Sequence, residues 1–242
     1  MSTLSHFLTA ASITLVSGGA FASFPQCKAE SAATLVPVIE LYTSEGCSSC
    51  PPADRWLSTL KSSAASGRAV VQAFHVGYWD YIGWVDRFAA PAHTTRQRQI
   101  AGRSGLSNIY TPQVVRDGQD WRDWGKALEA REPARARIAL QKNAADVFEA
   151  VVTPAEGVAG WSAYWTVTEH GHSSKVKAGE NAGELLQHDF VVRQYVPAGD
   201  YRAAAKLTLR TVPAVPGHPR QVNLVVFEPK SGRTLQALSL GC

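Results

Sequence analysis

The chain has 242 residues, 45% of them hydrophobic and 18% charged, with a formal net charge of +4. That is an ordinary globular balance, long enough for one large domain or two small ones. It has no run of Lys or Arg, which leaves no footprint for nucleic acid.

Residues 1–22 read as a secretion signal. An apolar run at 7–16 precedes Ala20-Phe21-Ala22, a small-x-small cleavage form, although the first six residues carry no Lys or Arg. The run is too short to span a bilayer, and Phe24-Pro25-Gln26 before Cys27 does not match a lipoprotein box. A periplasmic or secreted protein without a stable membrane anchor is expected. Its cysteines then face an oxidising compartment. The four cysteines allow three pairings; the close spacing of Cys47 and Cys50 favours that pair and leaves Cys27 with Cys242.

Residues 34–43 form a mostly apolar run, predicted to be a buried strand. "SEGCSSC" (44–50) is a turn, and Pro51 and Pro52 fall where a helix's first turn tolerates proline. The segment that follows puts Ala53, Trp56, Leu57 and Leu60 on one helical face, and Gly67 ends it. Residues 69–76 give a second strand. The order strand, Cys-x-x-Cys, helix, strand is a βαβ unit with a parallel pair.

An aromatic loop spans 77–91, and 92–105 is a polar helix candidate. Thr111-Pro112 leads into a strand closed by an Asp117-Gly118 hairpin turn. Residues 123–132 read as a helix stopped by Pro133. Beyond 134 the pattern changes to about seven short alternating segments, at 136–141, 146–152, 160–170, 188–196, 201–210, 221–229 and 234–240. That spacing predicts an antiparallel, sandwich-like β domain over 134–242.

A helix N-terminus stabilises a thiolate through unpaired N–H groups and its dipole. Cys47 precedes the predicted helix and Cys50 lies one turn in, an arrangement suited to one attacking and one shielded sulfur. Ser48 and Ser49 are available as hydrogen-bond donors. An inert structural disulfide and a metal site remain the alternatives, the latter as a copper-binding module of Cys47, Cys50 and His75. A redox-silent interaction protein working through its β domain is a third. Without a metal, no cofactor is called for.

Residues 34 to about 131 resemble a thioredoxin-like domain in element order. That resemblance implies a cis proline at Pro112 facing the cysteines, a backbone contact to bound peptide at Thr111, and a buried acid near the pair, for which Glu40 is the nearest candidate. The stretches "ELYTSEGCSSCPPAD", "HVGYWDYIGW", "TRQRQIA", "YTPQVV" and "GENAGELLQHDFVVR" resemble, in order, the secreted thioredoxin-like family catalogued as domain of unknown function 1223. The fold class expected is therefore α/β: a thioredoxin-like domain at 34–133 followed by the antiparallel β domain. The function expected is thiol–disulfide exchange with a protein or small-molecule partner, Cys47 being the more exposed sulfur.

His75 ends the second predicted strand and should share a rim with the cysteines. It is a candidate proton donor, or else an ordinary core histidine. Trp79 and Trp84 are candidate groove walls for substrate, and Gln113 follows Pro112. Asp80 and Asp86 read as turn formers, and Arg96 and Arg98 as a solvated helix face. His170, His172 and His188 are a weak metal signal, and Asn181 a loop holder between turns at Gly179 and Gly183.

Overall fold

The computed structural model describes residues 27–129 and 132–242, so the expected signal at 1–22 lies outside the described residues. The chain enters through β1 (Lys28–Glu30) and then β2 (Val38–Thr43). α1 (Cys50–Ser58) and α2 (Lys61–Ala65) lead to β3 (Val70–His75). β2 and β3 are buried at every position and run parallel, from Val38 opposite Val70 to Thr43 opposite His75. Continuous apolar runs are what strands covered on both faces require. α3 (Pro91–Arg103) follows, then β4 (Gln113–Arg116) and β5 (Gln119–Asp120), joined by the Asp117-Gly118 turn with both residues at positive φ.

The second half is β6 (Ala136–Ala144), β7 (Val147–Pro154), β8 (Trp161–Glu169), β9 (His172–Lys175), β10 (Leu185–His188), β11 (Val191–Tyr201), β12 (Ala205–Arg210), β13 (Arg220–Phe227) and β14 (Thr234–Leu240). β1, β6, β7 and β12 form a four-stranded sheet. It packs Ile138, Leu140, Phe148 and Val152 against Trp161, Trp165 and Leu224 of the larger sheet, as stacked sheets do.

The expectation of a thioredoxin-like α/β domain followed by a β module is corrected here. Among the described residues the fold is mostly β, 42% strand against 15% helix, with three α-helices. β11 lies parallel to β3, with Val191 opposite Ala73, and antiparallel to β8. The strands of the βαβ unit therefore continue into the second half as one eight-stranded sheet, ordered β14-β13-β8-β11-β3-β2-β4-β5. Pairing between strands so distant in sequence leaves no local pattern to read. Of the helix expected at 123–132, the described residues form one 3-10 turn, Trp124–Lys126; Gly125 at its centre disfavours a helix by about 1 kcal/mol relative to Ala.

Alternation along β2 decides which side each residue serves. Ile39 and Leu41 pack under α1 with Leu57 and Val71. Val38 and Tyr42 pack on the opposite face with Phe74 and Ile100 of α3. β9 and β10 form a two-stranded ribbon that shares no ladder with either sheet. Cys27 and Cys242 are joined in a disulfide with Cα atoms 6.2 Å apart.

Candidate functional site

Cys47 and Cys50 are free thiols where β2 hands over to α1, although the spacing favoured a disulfide between them. A tight turn sets them, with the Cys47 N–H donating to Ser44 O (3.2 Å) and the Cys50 N–H to Cys47 O (3.2 Å). Cys47 Sγ lies 3.2 Å from Ser49 Oγ and 3.9 Å from the Thr111 carbonyl. The Thr111–Pro112 peptide is cis, as the resemblance implied. A hydrogen bond from Cys50, then burial acting the other way, then the Ser49 hydroxyl, leave the Cys47 thiol lowered to about 5. Burial above all, and the neighbouring Cys47 sulfur, push the Cys50 thiol up.

Cys47 was expected to be the more exposed sulfur; both are covered, Cys47 at 1% and Cys50 at 0% exposed. The loop 176–184 at the tip of the β9–β10 ribbon is bonded to the turn that carries them. Ser48 N–H donates to Glu180 Oε2 (2.8 Å), and Asn181 Nδ2 donates to Glu45 O (2.8 Å) and Cys47 O (3.0 Å).

Below the pair sits a buried polar cluster. Thr43 Oγ1, which is hydrogen-bonded to Cys50, also donates to Asp54 Oδ2 at 3.0 Å. Burial raises the Asp54 carboxyl against the pull of His188 and His75. His75 Nδ1 meets Asp86 Oδ2 at 2.7 Å; burial opposes its charge, but Asp86 raises its pKa overall. His188 Nε2 lies 3.2 Å from Glu45 Oε1, and the His75 and His188 rings are 4.8 Å apart. Asp86 is thus more than a turn former. Sequence reasoning passed over Asp54; the signal was its position four residues after Cys50, on the same helical face.

The other candidates divide. Trp79 donates Nε1–H to Thr111 Oγ1 (2.7 Å), and a Cβ at Gly46 would come within 2.9 Å of the Trp79 Cβ, so this half-buried ring borders the cysteines. Trp84 donates to Glu45 Oε2 at 2.7 Å. Tyr78, unread in the sequence, senses both cysteines, and burial pushes its hydroxyl up to about 12. Gln113 faces α3, taking a 2.9 Å bond from Gln97 Nε2 and giving one to Asp120 Oδ1.

Glu40 also faces α3, away from the thiols. Arg96 grips it through Nε (2.9 Å) and the second guanidinium nitrogen (2.5 Å), and Tyr42 and Tyr164 donate to it at 2.7 and 2.8 Å. Burial opposes its charge, but Arg96 holds its pKa low. Arg96 is 6% exposed, which corrects the expectation that it lies on a solvated helix face, whereas Arg98 is exposed as expected. His172 bonds Glu169 at 3.0 Å and stacks on His218 at 3.8 Å. Among the described residues no group of three or more His, Cys, Asp or Glu is arranged to hold a metal ion, and no helix is long and apolar enough to cross a membrane.

The thiolate is the nucleophile. A thiol lowered to about 5 is ionised above that pH and loses its charge as pH falls through it. Iodoacetamide labelling of the reduced protein is therefore expected to hit Cys47 first, at a rate flat from pH 8 to 6 and falling about tenfold per unit well below the pKa. Mass mapping checks the site; a rate still climbing above pH 8 contradicts it.

A protein-family profile described as "Protein of unknown function (DUF1223)" matches residues 38–227. No curated protein matches. A crystal structure of an Agrobacterium tumefaciens protein is similar, with TM-score 0.66 and 21% identity, covering 85% of this chain and 94% of that one. At that identity the likeness concerns the fold alone.

Proposed function

The chain belongs to the DUF1223 family, whose description carries no activity, and we propose that it is an exported thiol–disulfide oxidoreductase working through Cys47 and Cys50. The observation that carries this reading is the opposed setting of the two free thiols, one lowered to about 5 and the other raised by burial. Export is supported by the N-terminal apolar run and by the Cys27–Cys242 disulfide, which suits an oxidising compartment.

In the reducing direction the Cys47 thiolate attacks one sulfur of a partner disulfide. A Cys47–partner S–S bond forms, the partner's S–S bond breaks, and the leaving thiolate takes a proton from water. Cys50 then passes its proton to the Thr43 oxygen, whose own hydroxyl proton moves to Asp54 Oδ2 along the 3.0 Å bond. The Cys50 thiolate attacks Cys47 Sγ and expels the partner's second thiolate. The partner gains two electrons and the pair becomes a disulfide, which an external dithiol restores. A partner dithiol meeting the oxidised pair runs the same steps backwards. Trp79 and Thr111 border the sulfur that meets the partner, and His75 holds charge in the cluster under Asp54.

Redox titration against dithiothreitol mixtures tests the reading. A pair that exchanges reversibly within the range of thiol pools supports it; a pair that never oxidises, or cannot be reduced, ends it. Asp54→Asn keeps the shape and removes the proton acceptor. It is expected to slow release of a Cys47 mixed disulfide at pH 7 by about ten- to a hundredfold, a general-base effect. The deficit should shrink at high pH, where hydroxide takes the proton, and stopped-flow release kinetics across pH check it.

A further inference from the structure

The β9–β10 ribbon belongs to neither sheet, and its loop 176–184 lies on the turn that carries Cys47. The loop is closed on itself by Val176 N–H to Glu184 O (2.9 Å) and Gly183 N–H to Val176 O (3.0 Å). Gly179 and Gly183, at φ 75° and 93°, give it a tight shape. At Gly179 an added Cβ would press on Ile82 at 3.2 Å, so no larger residue seats the loop as closely. An isolated two-stranded ribbon is marginally stable by itself; this one is seated by its buried His172, Val176, Leu186 and His188, and its loop is fastened to the Cys47 turn by the side chains of Glu180 and Asn181.

We propose that this loop is a strap which must lift before Cys47 can react, and that Glu180 and Asn181 are its clasp and select polypeptide partners. The inference rests on the thiol–disulfide reading of the same site. The clasp engages main-chain groups: Glu180 accepts from Ser48 N–H, and Asn181 donates to the carbonyls of Glu45 and Cys47. When the strap lifts, one N–H and two carbonyls are left facing the gap. Their natural replacement is an extended chain, whose alternating C=O and N–H groups offer the same acceptor and donor. Tyr81 and Val85, 80% and 71% exposed on the adjoining 77–86 loop, add apolar surface for such a chain's side chains.

The strap sets access as an opening equilibrium in front of the chemical step. In the reduced full-length protein, Glu180→Ala and Asn181→Ala are each expected to raise Cys47 alkylation by iodoacetamide at pH 7 about tenfold, as loss of a clasp bond shifts opening. Glu180 is exposed, so its variant carries the test if Asn181→Ala does not fold. An unchanged rate in a folded Glu180→Ala protein overturns the strap.

Partner class is tested with a peptide dimer linked by one disulfide, against hydroxyethyl disulfide. The peptide is expected to react at least about tenfold faster, and N-methylation of the amides flanking its cysteine to erase that lead. Equal rates, or a lead that survives N-methylation, overturn the polypeptide assignment. Faster alkylation in the variants with no exchange of any disulfide would leave the strap standing and remove the oxidoreductase reading beneath it.

Discussion

Cys47→Ser is expected to abolish disulfide exchange, lowering the rate on a fluorogenic peptide disulfide by more than about a thousandfold, because no other group replaces the nucleophile. Cys50→Ser behaves differently. Cys47 still attacks, but nothing resolves the product, so partners accumulate as mixed disulfides. Non-reducing gels followed by mass spectrometry should show adducts on Cys47 in Cys50→Ser and none on Cys50 in Cys47→Ser. The physical basis is the opposed setting of the sulfurs, Cys47 lowered to about 5 and Cys50 raised by burial. Adducts on Cys50, or full activity in either variant, would assign the pair a structural role.

The second large effect concerns stability. The Cys27–Cys242 bridge closes a sequence separation of 215 residues, with Cα atoms 6.2 Å apart. In the chain-entropy model such a cross-link contributes about 5 kcal/mol by restricting the unfolded chain. The double variant Cys27→Ser, Cys242→Ser should therefore melt roughly 10–20 °C lower, at about 2–4 °C per kcal/mol for a chain of this size. Calorimetry under oxidising conditions reads this directly; a shift of under about 3 °C would mean that the bridge joins ends already held by the sheets. The bridge joins the ends of the described chain and not the turn that carries the thiols, so exchange at 25 °C should survive.

Local chemistry was legible in the sequence wherever the signal was local. Pro51 and Pro52 did fall in the first turn of α1, and the parallel β2–β3 pair followed from the strand–helix–strand order. The polar stretch 92–105 did form α3, and Arg98 is exposed as expected, but Arg96 is not: it lies against Glu40 and under the Tyr164 ring at 4.0 Å. Buried ion pairs place charged residues where a hydrophobic period cannot announce them. The same blindness hid the partner of β3, since β11 arrives from the other half of the chain. Asn181 read as a loop holder, and its carbonyl does take a bond from Glu184 N–H in its own loop, while its side chain also holds the loop that carries Cys47.

The eight-stranded sheet also has a consequence in time. β11 separates β3 from β8, and Gln236 near the C-terminus accepts a hydrogen bond from the Val36 N–H across a separation of 200 residues. Synthesis runs from the N-terminus, so the segment bearing the two cysteines leaves the ribosome long before its neighbouring strand exists. Until β11 emerges β3 has an unpaired edge, and until β10 emerges the strap has no finished ribbon to carry it. Contacts so distant make for late, concerted folding. The cysteine pair gains its sheltered setting only after the ribbon at 172–188 has been made, well over a hundred residues later.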